Sequence, residues 1–310
     1  MSRVVFADMA FAAFGSTAEA EPQVRRRSWV ALVLLLPGLL YLALFFLVPL
    51  VSLMITSLQT PSELVFGQYD FAWAWSNYSA SVVTYLPQIL RSFEYALLAT
   101  VFALLFSYPI AYGIAVRAQP WPLLQNLLLV LVIAPFFISF LLRTLAWKQI
   151  LSDDGVVVSA LRGLSLMGPT DHITGTPVAV IFGLTYNFIP FMTLPLFSSL
   201  ERLDTRLLEA GDDLYSGPIT TFRTVTLPLS LPGIISGTLL TFIPAAGDYI
   251  NASQEFLGGT SSTMIGNVIQ TNFLDLSNYP VAAALSIVLM IVILVIVGIY
   301  VRRSGTEDLL

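Results

Sequence analysis

Six stretches of this chain run without a charged residue and are rich in apolar ones: 30–53, 95–116, 123–142, 177–200, 227–247 and 281–301. Each is long enough to cross a bilayer as a helix, which takes about 20 apolar residues. Between the fourth and fifth stretches the pattern changes. Leu203, Leu207, Ala210 and Leu214 recur at spacings of four, three and four, one stripe of an α-helix, while Arg202, Arg206, Glu209 and Asp213 form a second stripe. Asp204 stands at the N-cap position, and Gly217-Pro218 stops the helix and turns the chain. A short amphipathic helix between two spans lies outside the lipid, either as a solvated loop helix or as an element that docks on something.

Composition agrees with the spans. Of 310 residues 56% are hydrophobic and only 11% charged, with a mean hydropathy of +0.82, whereas a soluble domain carries about 25% charged residues. The expectation is an all-α polytopic membrane protein. Without cysteine it has neither disulfides nor thiolate metal sites, and no metal or cofactor site is expected. No Gly-x-x-x-x-Gly-Lys-Ser/Thr string occurs, so the chain is not its own P-loop ATPase. An even number of spans puts both termini on one side. Ten Lys/Arg residues fall on the side of the termini and the Glu209 loop and four on the other, which predicts that the first side is cytosolic. The organisation is then a cytosolic tail at 1–28, a six-span domain at 29–303 with segment 201–228 in the cytosol, and a short cytosolic tail at 304–310. Nine of the nineteen acids fall outside, leaving a formal charge of −5 there and zero inside. That surplus is either a mouth that concentrates cations or the passive result of excluding basic residues.

Several local patterns carry candidate chemistry. Segment 4–14 is a poor signal peptide because Asp8 interrupts it, and an interfacial helix there is the minor reading of a disordered tail. Tyr69, Phe71, Trp73, Trp75, Tyr78 and Tyr85 predict an interfacial aromatic belt or a short re-entrant helix. Glu94 is a carboxylate near hydrocarbon depth, a candidate for the substrate pathway or half of a pair with Arg91 on the same helix face. Arg143 is expected to pair with Asp153 or Asp154, and His172 to be a solvated surface residue. Tyr186 and Asn187 place polar groups beside Pro190, for a contact between helices or with cargo. Asp248 and Tyr249 follow an apolar run with Pro244 inside it. A carboxylate beside an aromatic ring suits an alkylammonium, by charge attraction and cation–π attraction; alternatively Asp248 caps the turn that follows. Prolines 109, 135, 190, 195 and 244 inside spans favour a transporter over a static anchor.

Glu209-Ala210-Gly211, three residues, Tyr215, nine residues and Val225-Thr226-Leu227-Pro228 resemble the EAA motif of ATP-binding-cassette importer permeases, written Glu-Ala-Ala, three residues, Gly, nine residues, Ile-x-Leu-Pro. Gly211 replaces the second Ala, and Tyr215 replaces the Gly that turns the chain between two short helices. Gly217 and Pro218 are expected to supply that bend instead. Segments 95–100, 134–137, 194–204, 257–259 and 264–269 are similar to the spermidine/putrescine branch, and to its first permease subunit more than its second. The resemblance implies a type I importer (MetI-like) fold of six helices. It also implies a second six-span permease, two copies of an ATPase subunit and an extracytoplasmic solute-binding protein that delivers polyamine. ATP hydrolysis would lie on the partner, so this chain would be no enzyme, and nucleic acid is not a partner. Leu203, Arg206, Leu207, Glu209, Ala210, Gly211, Asp213, Leu214 and Gly217 would form the ATPase-coupling surface. Asp248, Tyr249, Glu94, Tyr186 and Asn187 would line the substrate pathway. Rival readings are the same machinery for phosphonate, thiamine or ferric ion, and an ion-gradient-driven carrier.

Overall fold

A computed structural model describes residues 29–62, 67–204, 206–213 and 215–303. The tails expected at 1–28 and 304–310, the 4–14 segment and Leu214 lie outside the described residues. The chain divides into two compact units, Met1–Val51 and Ser52–Leu310. Within the first unit the described residues, 29–51, are helical, and those from Val33 on belong to α1, Val33–Ser57.

In the second unit, a two-stranded antiparallel ribbon follows α1, made by β1, Gln59–Pro61, and β2, Tyr69–Phe71, with Thr60 opposite Asp70. The aromatic segment forms this ribbon and then a short helical stretch from Ser76, set off from the helix beyond it by a kink at Tyr85 (φ −108°, ψ 15°). Along it the rings of Phe71, Trp73, Trp75 and Tyr78 follow one another at 4.9–6.5 Å between centroids. The remaining helices are α2, Ser76–Arg117; α3, Pro122–Ile133, ending in a 3-10 turn; α4, Phe140–Leu151; and α5, Val156–Gly163. Then come α6, Pro177–Glu201; α7, Arg206–Asp213; α8, Pro218–Leu229, and α9, Leu231–Ala246; α10, Ile265–Gln270; and α11, Tyr279–Arg303.

Four of these helices are long and apolar enough to cross a membrane, α2 with a kink at Tyr85. Two bent pairs raise the number to as many as six. The bends fall inside the third and fifth predicted spans. The third turns by 94° between residues 137 and 140, where Ile138 and Ser139 have extended ψ values of 136° and 135°. Residues 140–142 therefore open the next helix instead of closing a straight span. The fifth turns by 66° at Ser230, between Pro228 and Pro232, each of which removes a backbone donor.

The core lies between α2, α6, α9 and α11. Ala96, Ala99, Ala103 and Ala111 of α2 are fully buried, forming a strip of small side chains that lets α6 run close alongside. The two helices run in the same direction, since residues 95–99 meet 180–188 and residues 103–115 meet 192–200. Helix α9 comes back the other way, with backbone contact at two glycines. A Cβ at Gly233 would lie 2.6 Å from Ser199 Cβ and 2.7 Å from the Pro195 carbonyl oxygen. One at Gly237 would lie 2.7 Å from Met192 Sδ. Small residues at such crossings provide the van der Waals packing that holds membrane helices together, because lipid supplies no hydrophobic drive between them.

Candidate functional site

Two regions, at opposite ends of the bundle, hold the residues singled out by the sequence. At the end reached by the C-terminus of α6, Asp204 caps α7, accepting a hydrogen bond from the Arg206 amide at 3.0 Å. Leu203 is buried at the root of the turn, whereas Arg206, Leu207, Glu209, Ala210 and Asp213 are exposed along α7. Gly211 is half-buried against α8: a Cβ there would meet Thr221 Oγ1 and Cγ2 at 3.0 and 3.1 Å. The missing methyl of this motif position is thus the space in which Thr221 sits. Below α7, a cleft of about 560 Å³ is lined by Ser199, Arg202, Leu203, Leu207, Gly233 and Ser236.

The bend between the two short helices is not made where it was expected. Gly217 has φ −65° and ψ 151°, an ordinary extended N-cap for α8. Tyr215 makes the bend instead, in the left-handed region at φ 53°. The Ser216 amide then donates to the Gly211 carbonyl at 3.0 Å.

At the other end, Asp248 is 8% exposed. Its Oδ1 accepts from the Asn251 amide at 2.8 Å and its Oδ2 from Asn251 Nδ2 at 3.2 Å. Asn251 Oδ1 in turn accepts from Asn187 Nδ2 at 3.1 Å, and the same Asn187 nitrogen reaches Thr144 Oγ1 at 3.2 Å. A buried polar chain therefore ties α4, α6 and the loop after α9 together, and it brings Asp248 and Asn187 into one network. Tyr249 is placed differently. It is half-exposed and lines a cleft of about 310 Å³ with Gly266, Gln270, Phe273 and Leu274. Asp248 and Tyr249 are adjacent in sequence, yet the acid is drawn inward onto Asn251 while the ring borders open space. Tyr186 belongs to a third group, its ring 5.1 Å from that of Trp147.

Glu94 is exposed on α2 and forms no ion pair among the described residues. The expected partner, Arg91, donates instead to the Thr263 carbonyl at 3.0 Å, so the i, i+3 pair is not formed. Nor does Arg143 pair with Asp153 or Asp154. It is 8% exposed, with its guanidinium 5.7 Å from the Phe140 ring centroid. Asp153 is taken by Arg162 at 3.4 Å and by His172 Nδ1, which donates to both its oxygens at 2.8 and 2.9 Å. His172 is a solvated surface residue as expected, its side chain 58% exposed, and it also ties the loop to Asp153. Its hydrogen bond is the main reason the Asp153 carboxyl is held below the usual aspartate range.

Sequence reasoning passed over Glu255 and Asp275. Both line a cleft of about 360 Å³ with Gln254, Asn267, Gln270 and Thr271. Gln270 also borders the Tyr249 cleft, so a carboxylate surface and an aromatic one adjoin. The two acids are twenty residues apart, and their only signal was membership in the acid surplus on one side. No group of three or more His, Cys, Asp or Glu residues suited to a metal ion occurs among the described residues.

A family model described as "Binding-protein-dependent transport system inner membrane component" matches residues 111–304. The chain belongs to this family of transport permeases. Among curated relatives, the spermidine/putrescine transport system permease protein PotB of Escherichia coli (strain K12) is 37% identical over 265 residues, 85% of this chain and 94% of the relative. PotB of Haemophilus influenzae is 35% identical over 278 residues, 89% of this chain and 91% of that one. Of solved structures, a bacterial ABC transporter that imports the acidic polysaccharide alginate aligns at TM-score 0.63 with 18% identity, over 91% of this permease and 96% of that chain. The inward-facing MetNI methionine ABC transporter aligns at 0.55 with 19% identity, over 71% and 94%. These two likenesses establish the importer-permease fold and carry no information on cargo.

Proposed function

We propose that this chain is one of two permease subunits of an ATP-driven polyamine importer, forming half of the path for spermidine or putrescine. The observation that carries the cargo assignment is the 35–37% identity to PotB proteins across 85–89% of the chain. In this reading both termini and α7 are cytosolic. A solute-binding protein delivers polyamine to the opposite face, and two ATPase subunits supply the power stroke through α7 and its counterpart in the sister permease. The exposed Arg206, Leu207, Glu209, Ala210 and Asp213 form the docking face, with Gly211 seated against Thr221 of α8 behind it.

On the receiving face, Tyr249 with Glu255 and Asp275 offers an alkylammonium the aromatic face and carboxylates it needs. Glu94 adds a third exposed carboxylate, and Asp248 with Asn187 fixes the loop from beneath. The test is uptake by the complete transporter in proteoliposomes. Labelled spermidine uptake should require ATP and the binding protein, and should fall with excess putrescine but not with excess alginate oligosaccharide. Uptake that runs on an ion gradient without ATP, or that ignores putrescine, defeats this reading.

A further inference from the structure

Tyr215 occupies a position that its own chain gives it no reason to hold. A left-handed residue followed by an amide that reaches back five residues, here Ser216 to Gly211 at 3.0 Å, is a helix ending whose usual occupant is glycine. A Cβ in that conformation crowds the next carbonyl oxygen, and the crowding destabilises the turn. Nothing among the described residues offsets this. The side chain is 99% exposed, and it makes no hydrogen bond, ion pair or ring contact among the described residues. Its surroundings are also aqueous and charged: Glu209 and Asp213 precede it on α7, both exposed, and Ser216 and Gly217 follow.

The geometry points to Tyr215 as an aromatic anchor that enters a slot on the ATPase subunit, at the turn between α7 and α8. This rests on the docking reading given above and adds the contact that selects the partner. The ring stands in the open just past the C-terminal end of α7, and Leu207 on α7 and Ile219 on α8 are themselves 46% and 73% exposed. The matching surface is an apolar slot one ring wide, with a polar group at its base for the phenol hydroxyl and basic residues at its rim facing Glu209 and Asp213. Tyrosine is among the residues that concentrate binding energy when buried at an interface. A permease with glycine at this position has no ring to offer, so an ATPase subunit with such a slot would distinguish this chain from it.

The test titrates the ATPase subunit onto the detergent-purified permease pair carrying Tyr215→Gly, Tyr215→Asn or Tyr215→Phe, with Glu209→Lys as a separate arm. Glycine and asparagine both accept the left-handed turn, so those variants should melt no lower than the parent. They should nevertheless bind the ATPase subunit ~10- to 100-fold more weakly, and the phenylalanine variant should lose only a few-fold. Parental affinity in both Tyr215→Gly and Tyr215→Asn overturns the anchor. If Glu209→Lys still weakens binding in that case, docking through α7 survives without it; if all variants bind normally, the docking reading falls too. Weakening seen only in lipid nanodiscs and not in detergent would place the ring in the headgroup layer, and also overturns the proposal.

Discussion

At the scale of single residues, the contacts that could be read from the sequence are those made within a few positions. Asp204 caps α7 as its place before the stripe predicts, and Thr176 caps α6 ahead of Pro177. One misread side chain has its partner far along the chain. Arg91 has Glu94 three residues away, yet it bonds to Thr263, 172 residues on, and no spacing rule reaches that distance. Tyr215 was misread for another reason: glycine and proline two residues later carry the sequence signals of a turn, so the backbone bend was assigned to them. The glycines of α9 give a residue-scale prediction. Replacing Gly233 with Val sets new atoms against the Pro195 carbonyl and the Leu196 backbone, which cannot yield as a flexible side chain would. Overpacking of this kind costs roughly 1–3 kcal/mol, and it should lower the thermal midpoint of the purified protein. Gly163→Ala, at a position with nothing within 4 Å, should leave the midpoint unchanged.

At the scale of elements, apolar length located every long helix but could not show where helices break. Runs 123–142 and 227–247 look continuous because a bend changes backbone direction without introducing a charge. Their breaks were marked only by prolines, which are also common in unbroken spans. The segment between α4 and α6 is held by buried apolar side chains, with Val158 fully buried and Val157 and Ile173 packed on the Leu151, Ala179 and Leu257 cluster, and also by polar ones. Asp153 joins His172 and Arg162, and Arg162 also reaches the Asp153 and Asp171 carbonyls at 3.1 and 3.0 Å. Because the Asp153 carboxyl is lowered in the folded state, its contribution is complete above the unfolded value of about 3.9 and disappears as pH falls through the folded value below that. Protection factors for hydrogen exchange in 151–176 should therefore stay constant from neutral pH down to about 5, and protection should be lost only in stronger acid. In His172→Gln the loss should begin at higher pH. Equal profiles for the two proteins would mean that the pair does not hold the loop.

For the whole molecule, the four to six membrane-capable helices and an exposed amphipathic helix between the fourth and fifth apolar stretches correspond to what the hydrophobic pattern implied. The clustering on the receiving face, by contrast, depends on folding, since Tyr249, Glu255, Gln270 and Asp275 meet only when α10 packs beside the loop after α9. The close seating of α6 against α2 and α9 governs how such a body can move. With Cβ positions at Gly233 and Gly237 already inside van der Waals distance of their neighbours, these helices have no slack to slide past one another, and tightly packed interiors transmit strain instead of absorbing it. A cysteine-free chain makes this easy to follow. Spin labels at Val178 on α6 and Leu240 on α9, both exposed, should keep one separation with and without nucleotide in the full complex, while pairs spanning the two permeases change. Gearing then follows from stiffness: a push at the short helix on one side of the bilayer turns an unyielding block, and the opening on the far side is as wide as the length of that block makes it.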